Sequence, residues 1–197
     1  INAFFANGDK PFTAAGNVLT NFSIGHAYGL MYQKTGNTAY RSAMEKLVQR
    51  DWVSTYDWGN KALRGIDFCN SGGNRWECLH ALQALGVLYD LGDSQAYRML
   101  EELWWSILKT DRHNTGGFST HESAIGTPFM NGIIETCCTV SWMALSTEYL
   151  QISKNSLVAD ELELSYFNAM LGSLTEDDTH VTYNTPMDGV RIASQTN

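Results

Sequence analysis

Positive charge is scarce in this chain of 197 residues: 13 Lys and Arg stand against 21 Asp and Glu, giving a net charge of −8. The basic side chains form no cluster. A phosphate backbone needs a basic face, so nucleic acid is excluded as a partner. Long apolar runs are missing as well. No stretch approaches the ~18 residues that a spanning helix requires, which argues against a membrane protein. Cysteine is sparse, and four in a chain of this length do not make a disulfide scaffold. Cys69 and Cys78 stand alone and read as small buried apolar residues. Cys137 and Cys138 are neighbours, and a bridge between adjacent cysteines closes a strained ring, so an ordinary structural disulfide there is not expected. Unpaired thiols lean toward a reducing cytoplasm. An initiating Met and a signal-like apolar segment are absent too. The chain starts at Ile1 and stops at Asn197 straight after sequence that reads as folded, so the expectation is a fragment cut at both ends.

What is plentiful is apolar and aromatic. Apolar residues make up 44% of the chain, and six Trp and nine Tyr raise the aromatic share to 12%, enough to fill a sizeable helical core or to wall a sugar site. Two segments repeat. Tyr32-Gln33-Lys34-Thr35-Gly36-Asn37 parallels Tyr89-Asp90-Leu91-Gly92-Asp93, and Tyr32 to Tyr89 and Tyr40 to Tyr97 share an offset of 57. A weaker third copy runs through Tyr149 to Asn155. In each unit an apolar helical pattern ends at a Gly-Asn or Gly-Asp turn. A second helix follows at once, as Gly at a C-cap and Asn or Asp at an N-cap dictate. Tyr40, Ala43, Met44, Leu47 and Val48 then recur at helical spacing, as do Tyr97, Leu100, Leu103 and Trp104. Further helices are predicted over 18–32, 76–89, 138–152 and 158–171, with a short strand over 180–184. The class is all-α, built of αα-hairpins with a small β segment near the C-terminus. Three to three and a half hairpins are too few to close a six-hairpin ring, so a toroid would take roughly half its wall from residues 1–197.

Chemistry concentrates at Ile134-Glu135-Thr136-Cys137-Cys138, which sets a carboxylate and two thiols at the mouth of an apolar helix. Thiolate and carboxylate together suit zinc, and Glu122, thirteen residues upstream in Thr120-His121-Glu122, offers a proton donor. On a regular helix Glu135 shares a face with Cys138 but not with Cys137. Thr136 as an N-cap would put Glu135 just outside the helix and bring either cysteine within reach. Partial burial would fit Glu122 to protonate a leaving oxygen.

These residues resemble a family. The run from Gly117 to Glu122, then Glu135-Thr136-Cys137, the helix from Ala159 to Leu171 and the segment Val181-Thr182-Tyr183-Asn184-Thr185-Pro186 are similar to the β-L-arabinofuranosidase family of glycoside hydrolases. The resemblance implies an (α/α)6 barrel holding a zinc-bound cysteine thiolate, with carbohydrate as substrate. It implies Glu135 and Cys137 as zinc ligands, beside Cys138, where the family more often has Ala or Asn. It implies Glu122 as general acid/base, Tyr183 at the sugar, and His26 and His80 lining the pocket. The family's nucleophile lies in a later Cys-Cys pair, so the resemblance places it beyond residue 197. The mechanism it implies is retaining. Two other classes compete: a helical scaffold or sugar-binding module with a structural Glu/Cys cluster, and a thiol redox switch at Cys137-Cys138.

Overall fold

The computed structural model describes residues 18–124, 126, 133–187 and 189–192. The chain opens with α1 (Val18–Phe22) and α2 (Ile24–Thr35), and α2 pairs with α3 (Thr38–Lys46), which runs on through a π-helical stretch, Leu47–Trp52, to Thr55. After α4 (Trp58–Leu63) come α5 (Arg75–Asp90) and α6 (Ser94–Thr110), then α7 (Thr136–Ser153) and α8 (Ser156–Leu164), with a second π-helical stretch over Ser165–Met170. Two short strands, β1 (Ile133–Glu135) and β2 (Asn184–Pro186), pair antiparallel with Glu135 opposite Asn184.

The three hairpin turns are built as the repeat predicts. Gly36 and Gly92 adopt positive φ after α2 and α5, and Lys154 takes the same left-handed position after α7. Asn37, Asp93 and Asn155 then cap α3, α6 and α8, each side chain accepting a backbone N–H of the new helix. The weak third copy is therefore a true repeat with Lys in place of Gly. Two boundaries differ from expectation. Ser23 interrupts the helix predicted over 18–32, its hydroxyl turned back onto Thr20 O at 2.6 Å. The predicted strand over 180–184 begins later, at Asn184, where pairing with β1 begins.

α2, α5 and α7 form an inner row that runs parallel. A Cβ on Gly25 would touch Ala84, and one on Gly29 would lie 2.5 Å from Val87 Cγ1, so these glycines let α2 lie close against α5. Most of α5, from Cys78 to Leu88, is buried. α3, α6 and α8 back this row. Trp104 of α6 stacks on Trp142 of α7 at 5.1 Å and donates its indole N–H to Ser146 Oγ. Trp58, Trp104 and Trp142 are fully buried, so these aromatics fill the core.

Gly116 locks the end of this arrangement to the site. Its φ is +85°, and a Cβ there would sit 2.6 Å from Ser165 Cα. Its carbonyl accepts the Ser165 hydroxyl at 2.8 Å. Gly116→Ala is expected to destabilise the protein by about 2 kcal/mol or more, read as a lower urea midpoint at unchanged slope. An unchanged midpoint would mean that the π-helical turn at Ser165 simply moves aside.

Candidate active site

A platform made of the two-stranded sheet, flanked by one bridged segment, carries the site. β1 sits between β2 and the extended segment 118–120, with Glu135 N–H donating to Phe118 O and Thr120 N–H to Ile133 O. α7 starts directly where β1 ends. Glu135 is therefore extended (φ −94°, ψ 123°) and Thr136 is the first helical residue. Thr136 is not the cap that sequence suggested: its hydroxyl donates to Thr182 O at 2.9 Å and its N–H to Tyr183 O, clipping the β2 segment to the helix start. Leaving the helix at Glu135 solves the spacing problem, because an extended residue turns its carboxylate back over the first helical turn.

The Cys137 thiol donates to Glu135 Oε1 at 2.9 Å, and the two cysteine sulfurs are 3.8 Å apart. One ligand atom from each of Glu135, Cys137 and Cys138 falls within 4.8 Å of the others, so the group can hold a metal ion. All four cysteines of the chain are free thiols. Cys138 is buried, and its hydrogen bond with Cys137, then burial itself, push its thiol far above the ordinary range against an opposing pull from Arg75. The Tyr183 hydroxyl donates to the same Glu135 oxygen at 2.7 Å. Its neighbours Cys137 and then Glu135 hold the phenol well above its usual range, since both stabilise the protonated form. Tyr183 thus reaches the carboxylate of the metal-type cluster itself.

Glu122 lies two residues beyond segment 118–120 and is held there by Asn74 and Arg75. Its carboxyl is exposed, not partly buried as expected, and Asn74 Nδ2 lies 3.3 Å from Oε2. The approach is not a free loop, because Asn74 bridges Ser123 and Arg75 N–H donates to Glu122 O at 2.7 Å. Most of the connection from Glu122 to Glu135 falls outside the described residues.

His26 and His80 belong to a second polar group. His26 Nε2 lies 3.3 Å from Glu148 Oε1, and His80 Nδ1 lies 3.2 Å from Gln83 Nε2 and packs its ring against Trp76 at 4.6 Å. Burial and then His26 lower the His80 pKa, so His80 is neutral at pH 7. Glu148 is twelve residues into α7 from Thr136, about 18 Å along the axis at 1.5 Å per residue. The histidines are therefore not brought together with the Glu135 cluster but stand well along the inner row from it.

Sequence reading missed Arg75, Asn74 and Asp111. Arg75 opens an otherwise apolar helix, and nothing local distinguishes it from a solvated cation. The structure buries it completely with Asp111.

Among solved structures, the chain is similar to a GH127 β-L-arabinofuranosidase from Geobacillus stearothermophilus T6, with a TM-score of 0.67, 19% identity and coverage of 85% of this chain and 31% of that one. It is similar to a second GH127 β-arabinofuranosidase at a TM-score of 0.66 and 18% identity, over 83% of this chain and 27% of that one. A glycosyl hydrolase of family 88 from Bacteroides vulgatus shares the fold at a TM-score of 0.59 and 14% identity, over 90% of this chain and 55% of that one. The chain thus spans about a third of the length of its GH127 neighbours. No curated protein matches it. The fold is all-α, part of an (α/α)6 barrel with a small two-stranded sheet. The sequence profile described as β-L-arabinofuranosidase, GH127 catalytic domain matches residues 13–196, and the chain belongs to that family.

Proposed function

We propose that residues 1–197 form part of the catalytic barrel of a longer retaining glycoside hydrolase that acts on β-L-arabinofuranosides or related sugars. The observation that carries this reading is the gathering of Glu135, Cys137 and Cys138 within 4.8 Å, beside the bridged segment 118–120 that leads on to Glu122. Two thiols and a carboxylate are donors that zinc prefers, and three protein ligands with one open position is the pattern of a catalytic zinc site. Glu135, Cys137 and Cys138 would hold the metal. Zinc, when bound, would keep a cysteine as thiolate near neutral pH, where a free thiol with a pKa of about 8.5 is mostly protonated.

The residues of this chain have separate tasks. Glu122 gives its proton to the departing oxygen as the bond from that oxygen to the anomeric carbon breaks and a cysteine thiolate from another part of the enzyme bonds to that carbon. Glu122 then takes a proton from the incoming water, whose oxygen replaces the sulfur and restores the thiolate. Tyr183 orients the Glu135 carboxylate through its 2.7 Å hydrogen bond and is proposed to meet a sugar hydroxyl. His26 and His80 are proposed to line the deeper part of the sugar pocket.

The test is metal content together with turnover in the full-length protein. About one zinc per chain, lost in Cys137→Ser along with hydrolysis of para-nitrophenyl β-L-arabinofuranoside, is the expected result. A metal-free protein, active or not, would remove the zinc site and favour a structural Glu/Cys cluster.

A further inference from the structure

Arg75 is an unusual residue to bury. It opens α5, where the partial positive charge of the helix end disfavours a cation, and it has no exposure to solvent. All five of its side-chain N–H groups are nonetheless used. Nε donates to Asp111 Oδ2 at 2.6 Å and Nη2 to Oδ1 at 3.0 Å. Nη1 donates to Ser119 O and His121 O, each at 2.7 Å, and Nη2 reaches Ser123 O at 3.2 Å. The guanidinium also lies over the Phe118 ring at 5.6 Å.

With the backbone N–H of Arg75 on Glu122 O, three consecutive carbonyls, those of His121, Glu122 and Ser123, end on one residue. Glu122 is the middle one. Asn74 completes the bracket. It occupies the position that normally caps α5, with the extended dihedrals of a cap, yet its side chain makes no cap bond. Its amide lies against the Glu122 carboxyl instead.

A buried ion pair is weak evidence for stability, because desolvation consumes most of the attraction. A general acid, by contrast, needs its carboxyl within about 2.6–3.2 Å of the leaving oxygen. A long exposed side chain meets that demand only if its backbone is fixed. We infer that Arg75 is a positioning residue of the hydrolytic site: its guanidinium and backbone N–H clamp the peptide units on both sides of Glu122 to α5, and Asn74 orients the carboxyl, so that the proton donor stands at a set distance from the Glu135 cluster. This inference rests on the hydrolase reading above.

Leaving-group dependence separates positioning of the acid from general support of the fold. Methyl β-L-arabinofuranoside needs a proton on its departing oxygen, whereas the para-nitrophenyl glycoside leaves as a stabilised phenolate. Arg75→Lys keeps the charge but loses the planar fork, since an ammonium is a point donor. In the full-length enzyme, Arg75→Lys is expected to lower kcat/KM for the methyl glycoside about 100-fold, the typical effect of a 1 Å misplacement. The aryl glycoside should fall less than about 5-fold, because it draws little on general acid catalysis. Zinc content should stay at the wild-type value. Asn74→Ala removes only the amide contact from a partly exposed position and so keeps the fold. It should shift the same ratio of the two substrates in the same direction by a smaller factor. A parallel fall on both substrates, an unchanged ratio in both variants, or loss of zinc in Arg75→Lys would overturn the assignment. A wild-type enzyme that cleaves neither glycoside would instead overturn the hydrolase reading itself.

Discussion

Glu122→Gln in the full-length protein is expected to lower kcat/KM for methyl β-L-arabinofuranoside by about 10²–10⁴-fold, the usual contribution of a general acid, while fold and metal content stay as they are. The carboxyl is exposed, and it accepts from the Asn74 amide at 3.3 Å. An isosteric amide therefore removes the transferable proton without leaving a buried group unsatisfied. The backbone bonds that hold the residue, from Arg75 N–H and from the guanidinium to its neighbours, do not involve the side chain. Circular dichroism and the thermal midpoint should match the wild type. The para-nitrophenyl glycoside should retain most of its first step, because its leaving group departs without a proton. Equal losses on both substrates would place the defect elsewhere, and indifference on both would favour the scaffold reading, in which this carboxyl has no task.

The hairpins were legible because their signals are local. Asn37, Asp93 and Asn155 each satisfy a helix N-terminus two or three residues away, and Gly36 and Gly92 each relieve a left-handed turn. No partner outside the hairpin is needed to read them. The same holds for the face defined by Leu100, Leu103 and Trp104, all fully buried. The Glu135 motif was half legible. Sequence showed that Glu135 and Cys137 cannot share a face of a regular helix, and the structure resolves this by ending a strand at Glu135. That strand could not be seen, since three residues pair with a β2 some fifty positions away and carry no period of their own. The π-helical stretches over Leu47–Trp52 and Ser165–Met170 were hidden for a related reason. An inserted residue in a helix is set by what packs against it, here Gly116 against Ser165. Arg75 was hidden most completely, because its partners at Asp111, Ser119, His121 and Ser123 become neighbours only once α5, α6 and the platform have met.

Removing the partner of that arginine is expected to have the largest effect on stability. Asp111→Ala should destabilise the protein by about 3–5 kcal/mol, the cost of leaving one member of a buried pair uncompensated. For a domain of this size that corresponds to a fall in thermal midpoint on the order of 10 °C. Each charge alone sits at the wrong end of its helix. Arg75 stands at the N-terminus of α5, and Asp111 follows the C-terminus of α6, where an anion faces unpaired carbonyls. Only the pair, with side chains 0% and 1% exposed, makes both positions tolerable. The double variant Arg75→Met, Asp111→Leu removes both charges and should recover much of the lost stability, as apolar replacements of buried pairs commonly do. It cannot recover the three carbonyl contacts at Ser119, His121 and Ser123. A stable double variant that still fails on the methyl glycoside would therefore assign the guanidinium and its carbonyl contacts to placing Glu122. A double variant as unstable as Asp111→Ala would show that the platform itself depends on the guanidinium, and that positioning and folding cannot be separated at this residue.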